Sequence, residues 1–133
     1  MSVENSGSLD LFIPVLPASV NSMYQRNRNG GVRLSSQAVV FNQCAIPMLR
    51  LAKNRAGVPI FKTKVVVELW FSWPTKQRHD CDNRLKSCFD AIQKAGVVQD
   101  DCLLLPWVRD FKVDPSNPGV KLRIYEHQAT GDF

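Results

Sequence analysis

Alternating apolar and polar residues predict several β-strands. In LDLFIPVLP, the apolar side chains fall at every second position, and the predicted strand ends at Pro17. In KVVVELWFSW, the odd-numbered apolar residues share one face, and Pro74 ends the strand. Two further strand-like stretches, LLLPWVRDFKV and VKLRIYE, flank the turn sequence DPSNPG. They predict an antiparallel hairpin in which Pro106 takes an edge position or a bulge.

Apolar residues spaced three and four apart predict two helices. The first, SQAVVFNQCAIPMLRLAKNRAG, has Ser35 or Ser36 as its N-cap and ends near Gly57, with a kink or an interruption at Pro47. The second begins near Asn83 and ends at Gly96, where a C-cap glycine belongs. The apolar stripe of this second helix comprises Leu85, Cys88, Phe89, Ile92 and Ala95.

The stretch ASVNSMYQRNRNGGVRL between the first strand and the first helix has no steady period. It predicts an exposed, basic loop or irregular hairpin that turns at Asn29-Gly30-Gly31. The order of the elements predicts an α+β fold: a single domain over residues 1–133 with a mixed β-sheet packed against two main helices. A length of 133 residues suits one domain with its own hydrophobic core.

Composition and charge narrow the class of protein. A content of 44% hydrophobic and 22% charged residues is typical of a soluble globular chain, and the four cysteines contain no CxxC pair, so free thiols are expected. No apolar run is long enough for a membrane span, and the N-terminus lacks the pattern of a signal peptide, so a cytoplasmic location is expected.

The basic residues are unevenly distributed. The net charge is +5, and no acidic residue lies between Asp10 and Glu68, an interval that contains Arg26, Arg28 and Arg33. A half of the chain that carries only positive charges favours a polyanionic partner, because phosphates that are neutralised on binding release condensed counterions. The alternative is a solvated basic face without a partner.

The stretch RHDCDNRLKSCFDAIQKAGVVQDD concentrates acidic residues within this basic chain. If Asp80 to Asp82 are extended, their side chains point the same way. The following helix carries the chain about 18 Å away, and the extended segment after it can run back roughly 13 to 16 Å. One of Asp100 or Asp101 can therefore lie close to Asp80 and Asp82. Such a set of hard oxygen ligands suits Mg²⁺ or Mn²⁺.

Lys86 lies four residues after Asp82, on the same face and at the same end of the helix. A fixed ammonium there would stabilise charge that develops in a phosphoryl-transfer transition state. Structural alternatives remain: an N-cap role for one aspartate, a surface ion pair for Lys86, and a solvated turn for the last two acids. Asp90 lies two turns further along and is expected to pair with Lys86 or Lys94.

The segment DCDNRLKSCFDAIQKAGVVQDD resembles the RusA-type Holliday junction resolvases of phages and prophages. It is similar to the family pattern of D-x-D-N, a lysine four residues after the second aspartate, an F-D-A-L-like helix, a glycine and a paired aspartate. The stretch FIPVLPASVNSMYQRNRNGGVRLSS is similar to the family's strand, N-x-x-Y, basic loop and serine. His79, where the family often has a basic residue, and Cys81, where an aliphatic residue is common, depart from the pattern and put the cleavage-site preference in doubt.

The resemblance implies a homodimeric, Mg²⁺-dependent endonuclease that nicks four-way branched DNA symmetrically and leaves 5′-phosphate and 3′-hydroxyl ends. It implies metal binding by Asp80, Asp82 and Asp101, with Lys86 as the catalytic lysine; the family pattern alone prefers Asp101 to Asp100. Mn²⁺ is expected to substitute for Mg²⁺. The residues expected to contact DNA are Lys76, Arg78, Asn83, Arg84, Arg26, Arg28 and Arg33.

Two other functions are compatible with these residues. The chain could bind branched DNA without cutting it, with the acidic residues in structural roles, or it could be a nuclease that acts on flaps or replication forks.

Overall fold

A computed structural model describes residues 7–128. The stretch MSVENS, which enters the expectation that there is no signal peptide, lies outside the described residues. The strands are β1 (Leu9–Ile13), β2 (Tyr24–Arg26), β3 (Val32–Leu34), β4 (Val65–Trp73), β5 (Leu104–Val113) and β6 (Gly119–Glu126), and the helices are α1 (Ser36–Ala56) and α2 (Leu85–Lys94). Short 3₁₀ turns occupy Val20–Ser22, Asp82–Arg84 and Asp101–Leu103.

Four strands form the main sheet in the order β1-β6-β4-β5. β4 pairs with β5 in parallel and with β6 antiparallel, and β6 pairs with β1 antiparallel. The predicted α+β fold with a mixed sheet and two main helices is confirmed. β2 and β3 form a separate antiparallel pair, which we call the ribbon (residues 24–34). The hairpin predicted at Asn29-Gly30-Gly31 is therefore also confirmed.

The predicted hairpin between β5 and β6 is wrong, because β4 lies between these two strands. Two strands joined by a short turn usually pair with each other. Nothing in the sequence indicates that β5 and β6 do not. β4 is the central strand: seven of its nine residues are buried, as its nearly continuous apolar run requires. β5 is an edge strand, so the edge position predicted for Pro106 is confirmed.

One face of the sheet packs against α1 and α2. Phe41, Ala45 and Leu49 from α1 and Cys88, Ala91 and Ile92 from α2 join the odd-numbered apolar residues of β4 in one buried cluster. The other face carries polar pairs: Tyr125 donates to Glu68 at 2.7 Å, and Arg123 lies 2.7 Å from Asp10. This alternation follows from the two-residue period of a strand.

The helix ends agree with the sequence signals. Ser35 caps α1 by accepting from the backbone N–H of Ala38, and Gly57 ends the helix in the left-handed conformation. α1 runs through Pro47, so an interruption there is wrong. Gly96, with φ 78°, ends α2 as predicted.

Two smaller expectations differ in outcome. β1 ends at Ile13 and not at Pro17, because Pro14 has no N–H for the sheet. All four cysteines are free thiols, as expected. Within residues 7–128, no helix has both the length and the apolar character that a membrane span requires.

Candidate active site

The acidic loop, residues 74–84, leaves the end of β4 and leads into α2. Three stacked rings connect the end of β4 to this loop. Phe71 and Trp73, both in β4, have centroids 5.1 Å apart, and Trp73 stacks on His79 of the loop with centroids 4.4 Å apart. Trp73 is buried, so the stack joins the loop to the hydrophobic core. Thr75 Oγ1 lies 3.3 Å from His79 Nε2 on the same loop. These contacts fix the residue directly before Asp80.

Arg84 holds the other end of the acidic loop. Its guanidinium lies over the ring of Trp73, 5.6 Å from the centroid, and donates to the carbonyl of Pro17 at 2.6 Å. Burial lowers the pKa of Arg84 from its ordinary value, although the group stays protonated at neutral pH. The contacts of Arg84 are those of a structural link between the segment after β1, the end of β4 and the start of α2, and its predicted contact with DNA stays a prediction.

Asp80 and Asp82 both lie at the surface, on either side of Cys81. Asp80 accepts from Asn83 Nδ2 at 3.3 Å and pairs with Arg78 at 3.5 Å. The extended conformation expected across Asp80 to Asp82 is wrong, because Cys81 is helical (φ −62°, ψ −42°) and a 3₁₀ turn begins at Asp82. The pKa of the Cys81 thiol is raised by burial and, to a smaller extent, by the negative charges of Asp82 and Asp80.

The two later aspartates have different surroundings. The Asp100 carboxylate accepts from the backbone N–H of Cys102 at 2.9 Å and caps the 3₁₀ turn that begins at Asp101. This hydrogen bond lowers the pKa of Asp100. The backbone N–H of Asp101 donates to Gln93 Oε1 at 3.1 Å, so Asp101 is held beside the last turn of α2.

Lys86 lies 3.7 Å from Asp90 in an ion pair between residues i and i+4, as expected for Asp90. Neither Asp80 nor Asp82 caps α2, because Arg84 occupies the N-cap position. The simple N-cap interpretation of the paired acids is therefore wrong for this helix.

No three histidine, cysteine or acidic side chains within residues 7–128 are grouped so that they could hold a metal ion. The convergence of Asp80, Asp82 and Asp101 on one cation stays a prediction, since the structure brings the first two onto one loop and holds the third beside α2. His79, Cys81, Cys88 and Cys102 have the ligand types of a zinc site, but they form no such group within these residues either.

The basic residues predicted to contact DNA fall in two places. Lys76 and Arg78 are exposed on the acidic loop, and Arg26 and Arg28 are exposed on the ribbon. Arg33 is also on the ribbon, where its guanidinium donates to Asn27 Oδ1 at 2.6 Å and to Gln25 Oε1 at 3.3 Å.

Three supporting residues were not found from the sequence: Trp73, Ser87 and Gln93. Ser87 Oγ accepts from the backbone N–H of Ala18 at 3.3 Å, and Gln93 holds Asp101. Trp73 ends an apolar strand and signals no more than a core residue. Ser87 and Gln93 gave no signal, because their partners are distant in sequence or depend on the fold.

The chain matches the family model described as "Endodeoxyribonuclease RusA" over residues 14–125. Three relatives named "Crossover junction endodeoxyribonuclease RusA" are similar to it. The relative from Aquifex aeolicus is 26% identical over 121 residues, which are 91% of this chain and 94% of that protein. The relative from Escherichia coli O139:H28 is 30% identical over 108 residues (81% and 85%), and that from Shigella sonnei is 28% identical over 91 residues (68% and 72%). The chain belongs to the endodeoxyribonuclease RusA family.

Proposed function

We propose that this protein is a Mg²⁺-dependent, structure-specific endodeoxyribonuclease that resolves four-way DNA junctions by paired, symmetric nicks. The observation that carries the proposal is the family match over residues 14–125, which spans both the ribbon and the acidic loop. The relatives named above are crossover junction endodeoxyribonucleases. The protein would then act in DNA recombination and repair, in the cytoplasm, and residues 1–133 would form one endonuclease domain.

Asp80, Asp82 and Asp101 are the proposed metal ligands. Carboxylates are the ligands that Mg²⁺ and Mn²⁺ prefer, and an exposed position leaves room for water and for a phosphate. A bound divalent cation would supply Lewis-acid stabilisation of the scissile phosphate and of the departing 3′ oxygen. Asn83 and Arg78 would orient Asp80, since both already contact its carboxylate.

The contacts of the two later aspartates support Asp101 over Asp100 as the third ligand. The Asp100 carboxylate is engaged in capping the turn, and that hydrogen bond favours its role as a structural acceptor. Asp101 is positioned by its backbone through Gln93, so its position does not depend on a structural role of its carboxylate.

Lys86 is the proposed catalytic lysine. Its ammonium, half exposed and paired with Asp90 one turn away, would neutralise the scissile phosphate or steady the attacking water. The ion pair with Asp90 keeps the lysine on the polar side of α2, the side from which Gln93 reaches Asp101.

The flanking DNA backbone would be held by the exposed basic residues Lys76, Arg78, Arg26, Arg28 and Arg33. A four-way junction has near two-fold symmetry, so a homodimer with two-fold symmetry and two sites fits its need for two matched nicks. The products would be 5′-phosphate and 3′-hydroxyl ends.

The test is the nicking of a synthetic mobile four-way junction, compared with a linear duplex and a flap of the same sequence, with and without Mg²⁺. We expect paired nicks in the junction only when Mg²⁺ is present. If flaps or forks were cut strongly while the four-way junction stayed uncut, the substrate class would be flaps or forks and not junctions. Junction binding without any Mg²⁺-dependent cleavage would favour the rival function, a non-catalytic protein that binds branched DNA.

A further inference from the structure

The two sides of the ribbon differ in chemistry. The register pairs Tyr24 with Leu34, Gln25 with Arg33 and Arg26 with Val32. Because strand side chains alternate, Tyr24, Arg26, Val32 and Leu34 share one side, and Gln25 and Arg33 share the other. On the Arg33 side, the guanidinium of Arg33 donates hydrogen bonds to Gln25 and Asn27 of the ribbon itself.

The Tyr24 side presents apolar surface to solvent. The exposed fraction is 47% for Tyr24 and 65% for Val32, and Arg26 lies opposite Val32. Leu34 lies at the base of the ribbon, packed against Ala18, Met23 and Ala38. The outer part of this side therefore combines an aromatic ring, a branched aliphatic side chain and a guanidinium.

The ribbon is fixed relative to the acidic loop. Arg84 binds the carbonyl of Pro17, and Ser87 accepts from the backbone N–H of Ala18, just before the ribbon. The backbone N–H of Ser35, directly after the ribbon, donates to the carbonyl of Met23, directly before it, at 2.7 Å and so closes the base of the ribbon. The ribbon is therefore linked to the proposed catalytic residues through the segment that precedes it.

The charge of this region selects the kind of partner. No acidic residue lies between Asp10 and Glu68, so this region favours a negatively charged partner, and the proposed function makes that partner DNA. Within DNA, an aromatic ring gains energy by stacking on a base whose own stack is interrupted, and apolar side chains can wedge between such bases. A continuous duplex offers no interrupted stack, whereas the exchange point of a four-way junction does.

We propose that Tyr24, supported by Val32 and Arg26, stacks on a base at the branch point and so lets the ribbon distinguish branched DNA from linear duplex. This inference rests on the proposed function, because it deepens the recognition of the same substrate. Arg28, at the turn of the ribbon, contacts backbone phosphate and contributes to both kinds of DNA alike.

The test measures equilibrium binding of a labelled four-way junction and of a duplex of equal length, without a divalent cation so that no cleavage occurs. We expect Tyr24→Ala to weaken junction binding roughly 10-fold while duplex binding changes less than about 2-fold, and Tyr24→Phe to retain wild-type preference. Arg28→Ala is the matched control, expected to weaken both DNAs in the same proportion. Circular dichroism and thermal unfolding establish that each variant is folded.

A second measurement uses the wild-type protein alone. 2-Aminopurine placed at the branch point should be quenched on binding if a tyrosine ring stacks on it, while the same probe in a distant arm should not change. Equal wild-type affinity for the junction and the duplex would overturn the proposed function together with this inference. A wild-type preference for the junction that Tyr24→Ala leaves intact would overturn this inference alone. So would a Tyr24→Ala variant that turns a dimer into monomers in sedimentation experiments, because the face would then contact a second copy of the chain.

Discussion

The acidic loop and the ribbon both carry exposed charged residues, but they are held in different ways. The acidic loop is attached to the core through the buried ring of Trp73, which contacts both His79 and Arg84. The ribbon has no residue of its outer part in the core. Its base is closed by the backbone hydrogen bond between Ser35 and Met23 and is packed through Leu34 against a small separate cluster.

This difference matches the demands on the two regions. Ligands of a metal ion need fixed positions within fractions of an ångström, which packing against a core provides. A surface that contacts DNA needs charge and reach, and its placement is less exacting than that of metal ligands. Substitutions in the acidic loop should therefore affect stability and catalysis together, whereas substitutions in the ribbon should affect binding alone.

The largest expected effect is that of Asp82→Asn on cleavage. Loss of the charge on a metal ligand should reduce the rate of junction nicking roughly 1,000-fold, in line with the loss of a main electrostatic group in a site. Junction binding should stay intact or become tighter, because one negative charge is removed. Gel-based nicking and binding assays measure both quantities. Asp10→Asn, at the surface ion pair with Arg123 on the face of the sheet away from the helices, is the control and should nick normally.

Trp73→Ala tests the anchor of the acidic loop. Removal of this buried ring should lower the free energy of unfolding by about 3 to 5 kcal/mol, through lost burial and the cavity left behind. Trp107→Ala is the matched control: Trp107 is 54% exposed on the edge strand and mainly contacts Arg109, so its loss should cost about 1 kcal/mol or less. Urea unfolding measures both. Similar costs for the two variants would contradict the anchoring role.

Arg84→Ala tests the link between the acidic loop and the ribbon. The change leaves the carbonyl of Pro17 without its charged donor and should lower the free energy of unfolding by about 2 kcal/mol. Arg26→Ala, on the exposed ribbon, should change it by less than about 0.5 kcal/mol. A negligible cost for Arg84→Ala would mean that this arginine is available for DNA.

His79→Ala tests whether the ring stack positions Asp80. We expect the Mg²⁺ concentration for half-maximal nicking to rise roughly 10-fold, the scale on which residues that orient metal ligands act. His79→Phe keeps an aromatic ring over Trp73 and should restore most of the metal affinity. If the phenylalanine variant is as impaired as the alanine variant, the imidazole itself is required and stacking is not its role.

The smallest expected effect concerns salt. Arg26→Ala and Arg28→Ala should each lower the slope of log affinity against log salt concentration by about 1, because each removes one phosphate contact. Arg84→Ala should leave the slope unchanged if its guanidinium stays on Pro17. Titrations of the junction at several salt concentrations measure the slopes, and a flat response in the wild-type protein would contradict binding led by phosphates.

The sequence predicted the elements of the fold well where the pattern reports burial directly. Alternation in β4 and the apolar stripe of α2 each describe a face that contacts the core, and the caps at Ser35 and Gly96 are local signals. The pairing of β5 and β6 was predicted wrongly because alternation shows which side of a strand is buried and not which strand lies beside it.

The ligand set Asp80, Asp82 and Asp101 comes from the resemblance to the family and stays a prediction. The assumption of extended chain failed at Cys81, whose helical conformation starts the turn before α2. The roles of Trp73 and Arg84 could not be predicted, because a ring stack and a contact with Pro17 join residues that only the folded chain brings together.

In the proposed site, three carboxylates gather around one divalent cation beside Lys86. A crystal structure of the protein with junction DNA and Mn²⁺ would test this arrangement, because anomalous scattering locates the metal. We expect a manganese peak with oxygen atoms of Asp80, Asp82 and Asp101 about 2.1 Å away and a DNA phosphate on its open side. A manganese ion bound elsewhere, with these three carboxylates apart from one another and no metal between them, would contradict it.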